Sequence, residues 1–129
     1  MDAAQLKHRL KVFALRIIKL SEKLPNNNTG NTLGKQIIRS GTSPGANYRS
    51  ACLGKSDKDF LNKLKMVEEE LDETLYWLEL IVESGLIQEN LLKELMAENL
   101  ELLKIIVSSI TTMKKKLNSD MNKHSESKE

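Results

Sequence analysis

The sequence predicts an all-α fold, an antiparallel up-down-up-down four-helix bundle with a second helix kinked near Pro44. Four long stretches repeat apolar residues at spacings of three and four, which places them on one helical face. Links of about five, three and four residues separate those stretches, short enough to force neighbouring helices antiparallel. No stretch alternates as a strand would.

The first helix is expected from about Asp2 to Leu24. Leu6, Leu10, Phe13, Ile17, Leu20 and Leu24 alternate spacings of four and three, the seam of a coiled-coil-like bundle. MDAAQLKHRLKVFALRIIKL has the look of an amphipathic targeting segment, but no small-residue cleavage site follows it, and its regular periodicity assigns it to the fold. Ala4, Val12, Leu15 and Ile18 form a weaker apolar set on the opposite side, among lysines. Pro25 and three asparagines end the helix, leaving Thr29 or Asn31 to cap the next one.

The second helix, about Thr32 to Leu53, contains QIIRSGTSPGANYRSA from Gln36 to Ala51. Its apolar face is Leu33, Ile37, Pro44, Tyr48 and Ala51. Gly34, Gly41, Gly45 and Cys52 form a ridge of small residues beside it. Gln36, Ser40, Ser43, Asn47 and Ser50 line the other flank with Arg39. Each glycine costs about 1 kcal/mol relative to Ala in a helix, so the run reads as the buried, central helix, where close approach is needed. Pro44 lacks a donor and should kink or break the helix near Ser43, or let it restart with Ser43 as cap.

The third helix is expected from Ser56 to Glu83, with core stripe Phe60, Leu64, Val67, Leu71, Leu75, Leu78 and Val82 and a second stripe of Met66, Glu73, Tyr76, Trp77 and Leu80. Ser84-Gly85 stops it. The fourth runs from about Gln88 to Leu117, apolar over more than half its circumference. Residues 1–117 form the bundle. In 118–129, NSDMNKHSESKE has no periodicity and is expected to be a disordered tail. The surplus apolar faces on helices one, three and four point to a homo-oligomer.

At 129 residues, with 40% hydrophobic and 29% charged residues, the chain is a single domain. One cysteine excludes an internal disulfide and fits a reducing cytoplasm, and no apolar run is long enough for a transmembrane helix. The net charge of +2 hides an asymmetry. Residues 1–55 carry 10 basic and 2 acidic groups, net +8, whereas residues 56–113 carry 5 basic and 13 acidic, net −8. The simpler consequence is mutual neutralisation when the two halves pack. The alternative is a basic face for nucleic acid.

Few residues offer chemistry, and neither catalysis nor a cofactor is expected. A di-metal bundle needs Glu-x-x-His pairs; Glu70 and Glu73 have the spacing, but His8 and His124 lie far from them in sequence, so no metal is expected. Gly41 and Gly45 follow no strand, which argues against a phosphate loop. Ser40 and Ser43 have no nearby base. Glu70 and Glu73 are instead expected to meet Arg39 and the polar stripe of Gln36, Ser40, Ser43 and Asn47. If that pair is desolvated, Arg39→Ala should cost on the order of 3–5 kcal/mol.

QIIRSGTSPGANYRSA, followed by KSDKDFLNKLKMVEEELDETLYWLELI, resembles the four-helix-bundle proteins encoded in intervening sequences of bacterial 23S ribosomal RNA genes. The likeness spans about Phe13 to Leu117 and rests on polar positions: Gln36-x-x-Arg39-Ser40, Ser43, Asn47, Ser56-x-x-Asp59-Phe60, Lys63-Leu64 and Glu70-x-x-Glu73-Thr74-x-Tyr76-Trp77. Such proteins are similar to the accessory variability proteins of diversity-generating retroelements, pentameric barrels that bind nucleic acid. The resemblance therefore implies a homopentamer with RNA or a nucleoprotein as partner. The net charge of +2 is a departure that argues for modest binding.

Two functions follow. One is a non-enzymatic oligomer binding RNA or another nucleic acid through Lys7, Lys11, Arg16, Lys19, Lys23, Lys35, Arg49 and Lys55. With no aromatic platform among them, binding would be directed at the backbone. The other is a structural scaffold or protein-interaction module whose basic half is used up at subunit contacts.

Overall fold

The computed structural model describes residues 1–128, with side-chain surroundings given through Lys123. Four helices follow in order: α1 (Ala3–Glu22), α2 (Asn28–Cys52), α3 (Asp57–Glu83) and α4 (Glu89–Lys128). Each of the first three starts on a side chain that satisfies an otherwise orphaned backbone donor. Asp2 and Gln5 form a capping box, Asn27 accepts from Gly30 N–H and Ser56 accepts from Asp59 N–H. At the far end of α3, Gly85 turns the chain at φ 79°, a left-handed conformation that favours glycine.

Consecutive helices pack against one another and α4 returns to α1, while among the described residues α1–α3 and α2–α4 make no close backbone approach. The bundle therefore has four corners, and α1 stands diagonally opposite α3. Leu10, Phe13, Ile17, Ile37, Leu64, Val67, Leu71, Leu78, Ile81, Leu102 and Ile106 fill the core. The glycine ridge of α2 faces α1, as its small side chains suggest. A Cβ on Gly41 would lie 2.8 Å from the Ile17 side chain, so only glycine lets these two helices come this close.

Several expectations need correction. The second helix is a corner rather than a centre, with Lys35, Ile38, Arg39 and Arg49 exposed. It begins at Asn28, not Thr32, because Asn27 rather than Thr29 or Asn31 is the cap. Pro44 neither breaks nor restarts it. Around the missing Pro44 donor, Thr42 and Ser43 hydroxyls donate to the Ile38 and Arg39 carbonyls, both at 2.7 Å.

In α3 the buried stripe is Leu61, Leu64, Val67, Leu71, Thr74, Leu78 and Ile81, so Phe60, Leu75 and Val82 are only half-buried. From Leu64 onward these positions follow a seven-residue repeat, which outranks the greater apolarity of Leu75 over Thr74.

The expected break at Asn118 does not occur, since α4 continues to Lys128. Nothing in NSDMNKHSESK is a proline or glycine, so no residue ends the ladder. Asn118 to Lys123 are all exposed; the side chains of the expected tail beyond them, His124 included, lie outside the described residues. Among the described residues no helix is long and apolar enough to cross a membrane.

Candidate nucleic-acid interface

The buried stripe of α1 sets where its cations go. With Leu6, Leu10, Phe13, Ile17 and Leu20 facing inward, Lys7 and Lys11 fall on the side toward α2. There they line a shallow groove with Ala4, His8 and Arg49. Arg16, Lys19 and Lys23 fall on the side toward α4 and rim a second groove floored by Leu20, Ile87, Leu91, Leu92 and Leu95. Lys35 stands exposed on α2, and Lys55 lies in the link to α3. The eight candidate cations are thus two groups on either side of α1, plus two separate residues.

Their charges are available. The ion pairs among the described residues are Arg9–Glu98, Arg39–Glu73 and Lys116–Asp57, and none involves the eight candidates. Of the 10 basic residues in 1–55, only Arg9 and Arg39 pair with an acid of the second half. Neutralisation between the halves is therefore slight at the level of contacts.

The polar cluster assembles between α2 and α3, but differently from expectation. Arg39 pairs with Glu73 and donates to Gln36 Oε1 at 3.0 Å. Glu70 takes no part in that pair; it accepts from Asn47 Nδ2 at 2.8 Å. Ser40 is buried and hydrogen-bonds Thr74 at 2.9 Å, while Ser43 caps the Arg39 carbonyl. The Arg39 and Glu73 side chains are 52% and 34% exposed, so the pair is a surface one, not the desolvated pair expected. The reason is position: Arg39 and Gln36 sit on the outer edge of α2, and only Ser40 of that flank reaches the core.

Four residues make contacts, or lack them, in ways the sequence reading did not assign. Arg9 on α1 forms a fork to Glu98 on α4, with Nε to Oε2 at 2.9 Å and Nη2 to Oε1 at 2.7 Å. That hydrogen bond raises the Arg9 pKa, against the opposing effect of burial. Thr74 completes the Ser40 contact, and its place in the seven-residue repeat was a usable signal. Asn99 is fully buried on α4 with neither amide atom hydrogen-bonded among the described residues; it too sits in the repeat, between Leu95 and Leu102. Trp77 donates to Glu73 Oε1 at 3.3 Å.

Burial, and then the neighbouring Cys52 thiol, push the Tyr48 phenol up to about 12. Among the described residues no group of three His, Cys, Asp or Glu is placed to hold a metal.

Comparison with known proteins gives a consistent picture. The model of the family described as 23S rRNA-intervening sequence protein matches residues 4–108. A crystal structure from Bacteroides thetaiotaomicron, described as a protein of unknown function from the S23 ribosomal protein family, is 38% identical. It superposes with a TM-score of 0.77 over 81% of this chain and 97% of its own. No curated protein matches.

Proposed function

The chain belongs to the 23S rRNA-intervening sequence protein family, and from that premise we propose a non-enzymatic, cytoplasmic homo-oligomer that binds RNA or another nucleic acid through its basic surface. The observation that carries this is the α1–α2 groove, where Lys7, Lys11 and Arg49 converge beside His8 with no carboxylate paired to them among the described residues. Unpaired cations on one face attract a polyanion and gain from releasing its counterions. With no aromatic side chain in the groove, the contact is to phosphates and sequence-tolerant. Five copies are proposed on the resemblance alone, by which such proteins are similar to the pentameric accessory variability proteins. Fivefold repetition would turn a small patch into a basic band.

The test is fluorescence anisotropy with a labelled single-stranded RNA across a salt series. The logarithm of affinity should fall linearly with that of salt, by about 0.7 per phosphate contact. Lys7→Gln with Arg49→Gln should flatten that slope by about 1.4, two contacts' worth. No binding at low salt, or a slope indifferent to the pair, would overturn the proposal. The scaffold function would then take its place, favoured by the exposed Val12, Leu15, Ile18 and Tyr76.

A further inference from the structure

Two helix faces of opposite charge each hold an exposed apolar centre. On α1 the centre is Leu15, 54% exposed. Val12 and Ile18, three residues to either side, are exposed with it. Lys11 and Lys19, four residues to either side, are exposed too. Residues at these spacings are neighbours on a helix surface, so Leu15 is ringed by two aliphatic side chains and two lysines. On α3 the centre is Tyr76, 53% exposed and edge-to-face with Trp77 at 5.2 Å. Asp72 and Glu79 flank it at four and three residues, with Glu69 and Glu83 one repeat further, all exposed. From Glu68 to Glu83 the helix has seven acidic residues and no basic one; only Glu70 and Glu73 are held by α2.

These faces cannot meet within one chain, because α1 and α3 occupy diagonal corners and turn their outer sides in opposite directions. A two-fold dimer through either face would set lysines against lysines or carboxylates against carboxylates, which is repulsive. Only a head-to-tail arrangement matches the signs.

We infer that the Leu15 face of α1 docks on the Tyr76 face of α3 in a second copy of this chain. The contact has an apolar centre and a charged rim, with a tyrosine as anchor. Head-to-tail contacts close into rings when the rotation per copy allows it. The inference rests on the oligomeric half of the proposed function and names the surfaces that build it. It takes Lys11 and Lys19 into the contact and leaves Lys7 and Arg49 as the groove cations open to nucleic acid.

Light scattering on the full chain tests it. The wild type should give a multiple of 14.6 kDa. Lys11→Glu with Lys19→Glu should fall to the single-chain mass, and so should Asp72→Lys with Glu79→Lys. All four substitutions in one chain exchange the signs on both faces and should restore the wild-type mass. Circular dichroism confirms that each variant is folded; should a charge swap unfold the chain, Tyr76→Ala serves instead and should weaken assembly at least tenfold. Double variants that keep the wild-type mass, or a fourfold variant that stays monomeric while helical, would overturn the docking. An oligomer indifferent to the swaps sinks the docking alone. A monomeric wild type sinks the docking and the oligomer together, and the RNA slope of the Lys7 and Arg49 pair still reports separately on nucleic acid.

Discussion

The α2–α3 seam and the α1–α4 seam place polar groups between helices in opposite ways. Between α2 and α3, Ser40 and Thr74 are fully buried, bonded to each other at 2.9 Å, and Thr74 also bonds the Glu70 carbonyl at 2.8 Å. Small hydroxyls there occupy little room. The helices α1 and α4 approach least closely of the four adjacent pairs, and the long side chains of Arg9 and Glu98 bridge them. Asn99, the next residue of α4, is buried in the core with neither amide atom hydrogen-bonded among the described residues. The contrast follows chain order: α2 and α3 are joined by a short link, whereas α1 and α4 close the ring from opposite ends of the bundle's sequence.

The largest expected effect comes from replacing the two kinds of buried polar residue, the unbonded Asn99 and the bonded Thr74. Asn99→Leu removes a desolvated amide that gains no bond in the fold, so it should stabilise by about 1–3 kcal/mol. Thr74→Val keeps the shape but leaves the Ser40 hydroxyl unpaired, and should destabilise by about 1–3 kcal/mol. Urea melts followed by circular dichroism read both. Equal signs for the two variants would break the comparison. A loss on Asn99→Leu would mean that a buried water completes the amide's bonds.

A smaller effect is expected at the bridge. Arg9→Ala should cost on the order of 1–2 kcal/mol, since its fork to Glu98 is charge-assisted and only partly exposed. A double-mutant cycle with Glu98→Gln isolates the pair. A coupling near zero would show that apolar packing alone closes the α1–α4 seam.

How much of this was legible depended on the kind of signal. The four helices and the α1 core were plain because Leu6 through Leu20 keep strict spacing. Thr74 and Asn99 obey the same seven-residue repeat, yet their polarity hid them when apolarity was weighed above spacing. The start of α2 was ambiguous because several neighbouring polar residues can each cap a helix, and the choice falls to Gly30, whose missing Cβ would overlap the Pro25 carbonyl. The Arg9–Glu98 bridge spans 89 residues, and nothing local distinguishes Glu98 from Glu94 or Glu101 as the partner. The polar cluster was found as a set, but its depth was not: sequence places residues on a helical face without saying how far that face lies from solvent.

That missing depth sets the smallest expected effect. Arg39 looked like the cation of a buried pair, for which truncation would strand a desolvated carboxylate. In the fold its side chain is 52% exposed, so water screens both the attraction and the consequence of losing it. Arg39→Ala should therefore cost about 0–1 kcal/mol, less than Arg9→Ala on the looser seam. Glu73 keeps a second partner in the Trp77 indole N–H, which further softens the loss. Raising salt should shrink the Arg39 effect more than the Arg9 effect, because exposed pairs are screened more strongly. Thermal melts of the two variants at low and high salt decide the order. An Arg39→Ala loss of several kcal/mol, insensitive to salt, would mean that another surface buries this edge of α2 in solution.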